Sequence, residues 1–395
     1  MKNLYIDVKN QSTGGGTVII DEWVRPDDWL ALPVLAEGDQ KFVGLHAVYG
    51  DSDFVSVLCA GNYSVDWGDG TVENVAANTK RDHLFSYAAL AGTECSRGYR
   101  QAIVTITPQA GQLLTLVNLQ QKHSQAGLSS YRTQWLDIAI VGSSLSTLSI
   151  GGNSMNNGML EQATYIGVNS IISMSNMFYG CTSLQSIPQL YSGLATVFRS
   201  MFQGCYSLKH GPSLDTSQGN DFTSMFNLCT GMLSIPLYNT SEGTNFSSMF
   251  SNCYSLPTIP AINTSKGTNF SSMFLGCHSL LYLPLIDLLH STSCINMLTG
   301  CECIGELPEF DITNVSGLSG MLGSCYSLQR VRFKNISYTI SFFNCKLSAL
   351  ELEQIFNNLK VVSTQIITVT GNWGAAYLTD TQKAIATNKG WTLVL

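Results

Sequence analysis

Seven cysteines stand 24 residues apart in the middle of this 395-residue chain, and this spacing restricts its fold more than any other feature of the sequence. They are Cys181, Cys205, Cys229, Cys253, Cys277, Cys301 and Cys325. A fixed period of this length is the signature of a stacked repeat array. One such unit cannot bury its own apolar side, so each turn has to stack on its neighbours. We therefore predict seven 24-residue repeats over residues 173–340, folded as a right-handed, leucine-rich-repeat-like solenoid.

The other apolar positions of the repeat keep the same period. A Met stands four residues before each cysteine and is followed by Phe or Leu, and a Leu, Met or Ile stands three residues after the cysteine. The Met-Phe-x-x-Cys spacing predicts a short helix or a 3₁₀ turn on one side of the stack. On the other side, Leu-x-x-Ile-Pro predicts a short strand that the proline ends. The Met, Phe and Cys columns are therefore predicted to form the core.

An Asp or Asn recurs at the bend that follows the proline. These residues are Asp215, Asn239, Asn263, Asp287 and Asp311. Asp and Asn side chains accept hydrogen bonds from the backbone two residues later, so this column predicts a ladder of Asx turns.

The cysteine column has two alternatives to a role as core filler. Metal binding needs clustered ligands, and the one close pair, Cys301 and Cys303, has no His nearby in the sequence. Disulfides need an oxidising compartment, and seven thiols in register is an odd number. We predict buried free thiols, with no metal and no cofactor.

The segments before and after the array are predicted to cap it. Residues 347–359 and 379–389 have helical periodicity, with Ser348 as a candidate N-cap, and a strand follows each of them. A C-terminal cap is thus predicted over residues 341–395. Residues 113–172 are predicted to be a connector and the N-terminal cap, because apolar and polar residues alternate over 135–150.

The sequence pattern of residues 41–112 predicts a separate β-sandwich. The whole chain is therefore predicted to be mainly β with short helices. Strand-like segments flank a tight turn at residues 66–71, whose sequence is Asp-Trp-Gly-Asp-Gly-Thr. Asp66, Asp69 and His83 could form a metal or catalytic cluster. Hairpin chemistry and packing of Trp67 and Tyr87 explain the same residues, and weak calcium binding by the two aspartates stays an alternative.

Composition excludes several classes of partner. Charged residues make up 12% of the chain and the net charge is −7, without a basic face, so nucleic acid and membrane surfaces are not expected partners. No apolar run reaches 18 residues, so membrane insertion is not expected. Residues 1–10 lack the apolar core of a secretion signal, so we expect synthesis in the cytoplasm without a cleaved signal peptide.

Three groups of residues resemble known families. The turn at residues 66–71, His83-x-Phe85-x-Tyr87 and residues 102–107 resemble a PKD-like, immunoglobulin-type domain, with an insertion at residues 88–99 that departs from its pattern. The Met-Phe-x-x-Cys-x-Ser-Leu-x-x-Ile-Pro array resembles BspA-type leucine-rich repeats of surface proteins. The closing residues 367–372 and 389–392 are similar to caps of such arrays in bacteriophage proteins. Residues 23–33 and 42–48 resemble the N-terminal segments of tailed-phage virion proteins.

These resemblances imply a non-enzymatic virion surface protein, made in the host cytoplasm and acting as a tail or fibre component, a receptor-binding adhesin or a head decoration. Residues 1–40 would be the attachment segment, with Trp23, Arg25 and Trp29 as docking contacts. Ordinary packing against the β-domain is the alternative for these side chains. The implied partners are other tail or capsid proteins and a host surface glycan or receptor, and the assembly could be a homotrimer.

Positions four, five and eight after each repeat cysteine vary, as a recognition surface would, although simple solvent exposure predicts the same. The candidate ligand-binding residues are Gln185, Gln189, Lys209, His210, Ser213, Tyr282, Glu306 and Glu309. A bacterial cell-surface leucine-rich-repeat adhesin is the second hypothesis. A polysaccharide-degrading enzyme is the third, and Glu306, Glu309 and Asp311 are the one cluster of acids in the array that it could use.

Overall fold

Two packed β-sheets lead into a stack of solenoid turns in the computed structural model, which describes residues 23–125, 133–152 and 157–395. The strands are β1 (Lys41–Val48), β2 (Phe54–Ala60), β3 (Tyr63–Asp66), β4 (Val72–Val75), β5 (Lys80–Leu84), β6 (Arg100–Pro108), β7 (Leu116–Asn118), β8 (Trp135–Val141), β9 (Thr147–Ser149), β10 (Gln162–Ile166), β11 (Glu306–Asp311), β12 (Arg330–Lys334), β13 (Ile340–Ser341), β14 (Gln365–Thr368) and β15 (Trp391–Val394). The α-helices are α1 (Ala349–Asn357) and α2 (Asp380–Thr387), and 3₁₀ turns lie at Ala88–Leu90 and Ala375–Tyr377. The predicted mainly β fold with short helices is confirmed.

The N-terminal sheets form the predicted sandwich. One has the order β10-β8-β1-β6-β3-β4 and the other β5-β2-β7-β9. Phe42, Val57, Tyr63, Trp67 and Val104 are buried in their common core. β6 follows the insertion at residues 88–99 and pairs antiparallel with both β1 and β3.

The sandwich and the solenoid share strands. β8 pairs antiparallel with β1, and β10 then pairs parallel with β8. A parallel bridge from Gln162 to Ser186 carries this pairing into the first repeat. β7 and β9 join the other sheet in the same way. The boundary predicted between residues 112 and 113 therefore lies within a continuous sheet system.

His46 on β1 is fully buried between Phe85 and Trp135, and its Nε2 accepts a hydrogen bond from the Gln134 N–H at 2.8 Å. Burial lowers the pKa of His46 from 6.5 to about 3. Between pH 6.5 and about 3, the unfolded chain therefore binds one more proton at His46 than the folded chain does. The stability that neutral His46 contributes is complete above pH 6.5 and is lost as the pH falls towards 3.

Lowering the pH from 7.5 to 5.0 should reduce the free energy of unfolding by about 2 kcal/mol through His46. Urea denaturation at the two pH values measures the change. A His46→Gln variant should lose most of this dependence, because it has no proton to gain. An equal pH dependence in the variant would assign the effect to other groups.

The repeat columns form the solenoid core as predicted. The Met, Phe or Leu, and Cys columns of all seven repeats are at most 2% exposed. The Phe178, Phe202, Phe226, Phe250 and Phe274 rings stack with centroids 5.4–5.8 Å apart. A second column stacks at 5.4–5.6 Å and consists of Phe198, Phe222, Phe246 and Phe270, three residues before the Met of the second to fifth repeats. Each turn thus buries its apolar side against both neighbours.

The Met-Phe-x-x-Cys segment forms hydrogen-bonded turns, so the short-helix alternative is wrong. The N–H of Phe250 donates to the Met273 oxygen of the following turn at 2.9 Å, and the other Phe residues of this column do the same. The N–H of Cys253 closes a local turn on the Phe250 oxygen. Since alternate N–H groups are used between turns, they are not available for a helical ladder.

Two positions in every turn have a left-handed backbone, a feature that the sequence analysis did not predict. The first precedes each Met and is occupied by Asn176, Ser200, Ser224, Ser248, Ser272, Asn296 and Gly320. The second precedes each Cys and is occupied by Gly180, Gly204, Leu228, Asn252, Gly276, Gly300 and Ser324. Gly and Asn adopt this conformation at low cost, whereas a bulky Leu is strained there.

Replacing Leu228 with Asn should raise the free energy of unfolding by about 1 kcal/mol, because Leu228 has a φ of 63° and Asn tolerates this region better. Urea denaturation provides the measurement. The matched control is Gly204→Leu, which places the strained residue one turn earlier and should lower stability. A Leu228→Asn variant less stable than the parent would mean that contacts of the Leu side chain outweigh its backbone strain.

The side of the stack with the Ile-Pro pairs is less regular than predicted. Only β11 and β12 are assigned as strands on this side within residues 173–340, and they pair in parallel. The first six repeats, including the one with β11, carry a proline, which has no N–H to donate to a ladder, and the β11–β12 pairing is irregular across Pro308, between Glu306 and Glu309. The last turn has Arg332 at this position, so its backbone can pair. A strand in every turn is therefore wrong.

The predicted Asx turns are confirmed. Oδ1 of each Asp or Asn in the column accepts a hydrogen bond from the N–H two residues later, at 2.9–3.1 Å. These bonds satisfy backbone N–H groups at the bend.

The C-terminal cap ends the stack with α1, α2 and a parallel sheet of order β13-β14-β15. Ser348 is the N-cap of α1, as predicted, and its Oγ accepts from the Glu351 N–H. The Glu351 carboxylate in turn accepts from the Val331 N–H at 2.9 Å, which joins the helix to β12. No helix in the described part of the chain is long and apolar enough to cross a membrane.

Candidate binding groove beside the C-terminal cap

A groove of about 710 Å³ opens where the last solenoid turns meet α1. Its lining residues come from three turns and from the cap. They are Leu281, Tyr282, Cys303, Gly305, Glu306, Gln329, Arg330, Lys346, Ser348, Leu350, Glu351, Gln354 and Trp373. This volume lies in the range of small-molecule sites in proteins.

Gly305 produces the floor of the groove. The position four residues after the cysteine carries a side chain in every other turn, namely Gln185, Lys209, Leu233, Pro257, Leu281 and Gln329. A Cβ placed on Gly305 would meet only the Ser327 oxygen, at 4.0 Å. The space above Gly305 is therefore open, and the gap in the column makes the depression.

Two exposed aromatic rings stand in the lining. Tyr282, from the fifth repeat, is 72% exposed, and Trp373, from the cap, is 61% exposed. The Trp373 loop is fixed by Asn372, which is buried and bonds through its side chain to the Leu347 N–H and the Phe342 oxygen. Trp373 is thus held in solvent by a rigid loop.

Each charged side chain of the groove contacts an opposite charge, an aromatic ring or the backbone. Arg330 contacts Glu306 at 3.0 Å, and Arg332 reaches the other Glu306 oxygen at 3.3 Å. The Lys346 ammonium lies 5.3 Å from the Trp373 ring centroid. With the Glu351 carboxylate on the Val331 N–H, these contacts leave no concentrated charge of one sign.

The repeat array matches one protein family. The family is described as Mycoplasma protein of unknown function, DUF285, and it matches residues 172–282 and again residues 237–366. Neither the comparison with curated proteins nor that with solved structures gave a match. The repeat arrangement in the region that matches DUF285 fits the leucine-rich-repeat type.

The predicted surface residues differ in their exposure and in whether they line the groove. Tyr282 and Glu306 line the groove, and Glu309 lies beyond it, paired with Lys334. The remaining five lie on earlier turns: Gln189 and Ser213 are exposed, whereas Gln185, Lys209 and His210 are partly buried. The groove thus contains two of the eight predicted residues.

Sequence analysis missed the contribution of the cap to this site. Lys346, Leu350, Gln354 and Trp373 were assigned to a segment whose predicted role was to end the stack. The available signal was Trp373 itself, since a large aromatic residue between Asn372 and Gly374 has no partner in the repeat pattern.

The thiols of the DUF285-matching turns are buried inside the stack. Cys253 Sγ donates to the Phe226 oxygen of the preceding turn at 3.2 Å, and the equivalent bond is made by Cys205, Cys229, Cys277, Cys301 and Cys325. Burial raises the pKa of Cys277 to about 12. Cys301 is buried whereas Cys303 is exposed in the groove, so this close pair is divided between core and surface. No three His, Cys, Asp or Glu side chains of the described residues are grouped to hold a metal ion.

The docking candidates contact the chain itself. Arg25 bonds to Asp137 at 2.8 Å, and Trp23 Nε1 bonds to Glu161 at 2.9 Å. Trp29 is 4% exposed and lies on the outer face of the six-stranded sheet. These contacts are those of the packing alternative, and docking to a particle stays a prediction. Residues 1–22 of the attachment segment lie outside the described residues.

The tight turn at residues 66–71 is a hairpin between β3 and β4. Asp66 and Asp69 each accept a backbone hydrogen bond two residues ahead. The second Asp69 oxygen lies 2.8 Å from His83 Nε2, and the His83 ring stacks on Trp67 with centroids 4.7 Å apart. These contacts give the three side chains structural roles.

Proposed function

We propose that this chain is a non-enzymatic recognition protein that binds a partner on the surface of its solenoid. One observation carries the proposal: a rigid repeat stack and its cap hold Tyr282 and Trp373 exposed around an open groove. Exposed aromatic rings in a concave site supply contact area with little loss of side-chain entropy on binding.

The pairing of the acids supports a role without catalysis. Glu306 is shared between two arginines, and Glu309 is paired with Lys334. Asp311 closes its Asx turn and accepts from Asn335. Glycoside hydrolysis needs one carboxyl group to donate a proton and another free to act as nucleophile or base. Each carboxylate of this cluster is instead held by cations or amides.

We propose a tailed-phage virion as the carrier of this binding surface, in a tail, fibre or head-decoration protein that contacts other virion proteins. The resemblances of the N-terminal segment, of the sandwich to PKD-like domains and of the cap support this assignment. In that setting the solenoid would meet a host surface glycan or receptor, and a homotrimer would present several copies of the groove. Synthesis would take place in the host cytoplasm.

A bacterial cell-surface adhesin is the second candidate. The match to DUF285, a family described from Mycoplasma, favours it. The binding face would be the same in both settings, and the carrier would differ.

Binding of the full chain to a panel of bacterial cells and to a glycan array tests the proposed function. We expect saturable binding to a subset of cells or glycans, without release of sugar products. An absence of binding on every surface would overturn the proposal, and turnover of a bound glycan would replace it with an enzymatic function. Immunogold labelling of purified virions and of intact bacterial surfaces then distinguishes the two carriers.

A further inference from the structure

We infer that the groove above Gly305 is the ligand-binding site of this protein and that its ligand is an uncharged oligosaccharide. The inference rests on the proposed function and specifies its site and ligand class. It follows from the aromatic rings, the charge pairing and the shape of the groove.

The aromatic rings favour a ligand with both apolar and polar surface. Tyr282 and Trp373 expose most of their ring surface, although burial would stabilise such large apolar groups. The negative face of an aromatic ring attracts the positively polarised C–H groups of a sugar ring. Leu281 and Leu350 continue the apolar surface along the same groove. A sugar can therefore stack on these walls and direct its hydroxyl groups elsewhere.

The polar groups favour a neutral ligand. The lining contains two carboxylates, Glu306 and Glu351, and two cations, Arg330 and Lys346, so its formal charge is zero. A phosphate, sulfate or sialic acid would have to compete with Glu306 for Arg330 and with the Trp373 ring for Lys346. Gln329 and Gln354 each carry a donor and an acceptor, which matches the hydroxyl groups of a neutral sugar.

The shape of the groove argues against an extended peptide as the ligand. Strand addition requires a free sheet edge, and the edge of β12 next to the cap is covered by α1, whose Glu351 carboxylate accepts a hydrogen bond from the Val331 N–H. The groove is lined instead by side chains above a glycine floor, as sites for small ligands are.

Gly305 allows the groove to be filled with little disturbance of the fold. Gly305→Trp would place the new side chain in open space, because its Cβ meets one atom at 4.0 Å. The matched control is Leu233→Trp, which puts the same residue at the same column position three turns earlier, where Leu233 is 45% exposed. Both variants should unfold at the temperature of the parent protein.

A glycan array of neutral and acidic oligosaccharides, read with the full chain and the two variants, tests the inference. We expect the parent and Leu233→Trp to bind the same neutral glycans, and Gly305→Trp to bind them at least tenfold more weakly. Trp373→Ala, which opens the groove, should lose a similar factor. A bound neutral glycan should also slow alkylation of Cys303, which lines the groove, severalfold.

The outcomes separate this inference from the proposed function. Neutral-glycan binding that is equal in the parent, Gly305→Trp and Trp373→Ala would place the ligand elsewhere and leave the proposed function standing. Binding confined to acidic glycans or to peptides would overturn the ligand class. Failure of the parent to bind any glycan or any bacterial cell would overturn both.

Discussion

Replacing Phe250 with Ala should lower the free energy of unfolding by about 3–5 kcal/mol. The Phe250 ring is fully buried and stacks between Phe226 at 5.8 Å and Phe274 at 5.7 Å. The substitution leaves a cavity at two interfaces, because each turn of a repeat array contacts the turns before and after it. Urea denaturation followed by circular dichroism measures the loss.

Tyr254→Ala is the control for this prediction. Tyr254 belongs to the same turn and is also aromatic, but it is exposed and contacts only His278 among neighbouring rings. We expect its removal to change stability by less than about 1 kcal/mol. Similar losses for the two variants would contradict a core built from the Phe column.

Thiol labelling of the native protein at pH 8 should modify Cys303 quickly and the repeat cysteines at least a thousandfold more slowly. All twelve cysteines lie in the described residues: Cys303 is exposed, Cys95 is partly buried and the other ten are buried. Only the thiolate reacts, and burial that raises the pKa of Cys277 to about 12 leaves a very small fraction of it ionised. The solenoid also has to open before reagent can enter.

Ellman's reagent or mass spectrometry after timed alkylation provides this measurement. We expect one fast thiol, a slower second from Cys95, and all twelve once urea unfolds the chain. A Cys303→Ser variant should lose the fast phase alone. Fast labelling of Cys229 or Cys253 in the native protein would contradict the sealed stack on which the fold depends.

The sequence predicts the core of the solenoid because the period repeats the same physical requirement in every turn. Cys253, Met249 and Phe250 are each one member of a column, and a column of apolar residues at fixed spacing has to face inward. The Asx turns at Asn239 and Asn263 follow for the same reason, since a short polar side chain at a bend has a specific backbone partner.

The backbone details depend on contacts between turns and are harder to predict. Ser248 and Ser272 adopt a left-handed conformation, yet serine is common in many conformations and its identity alone does not specify this one. Of the short helix and the 3₁₀ turn expected near Phe250, the helix does not form because the Phe250 N–H donates to the next turn. Propensity at these positions is overridden by tertiary hydrogen bonding.

The groove was missed because its main residues are exceptions to the repeat. Gly305 interrupts a column of side chains, and Trp373 comes from a segment outside the period. Periodicity highlights what the turns share, whereas a binding site depends on where one turn differs from the others. Tyr282 and Glu306 were found because their positions had been recognised as variable.

The uniform 24-residue period makes the array modular in length. Deleting residues 230–253 would remove one complete unit and bring Phe226 next to Phe274, a contact of the kind the parent already makes. Such a shortening would move the groove towards the sandwich by roughly 5 Å, the spacing of paired strands, without altering either end. Duplication or loss of whole units would therefore let evolution adjust how far the binding site reaches while preserving what it binds.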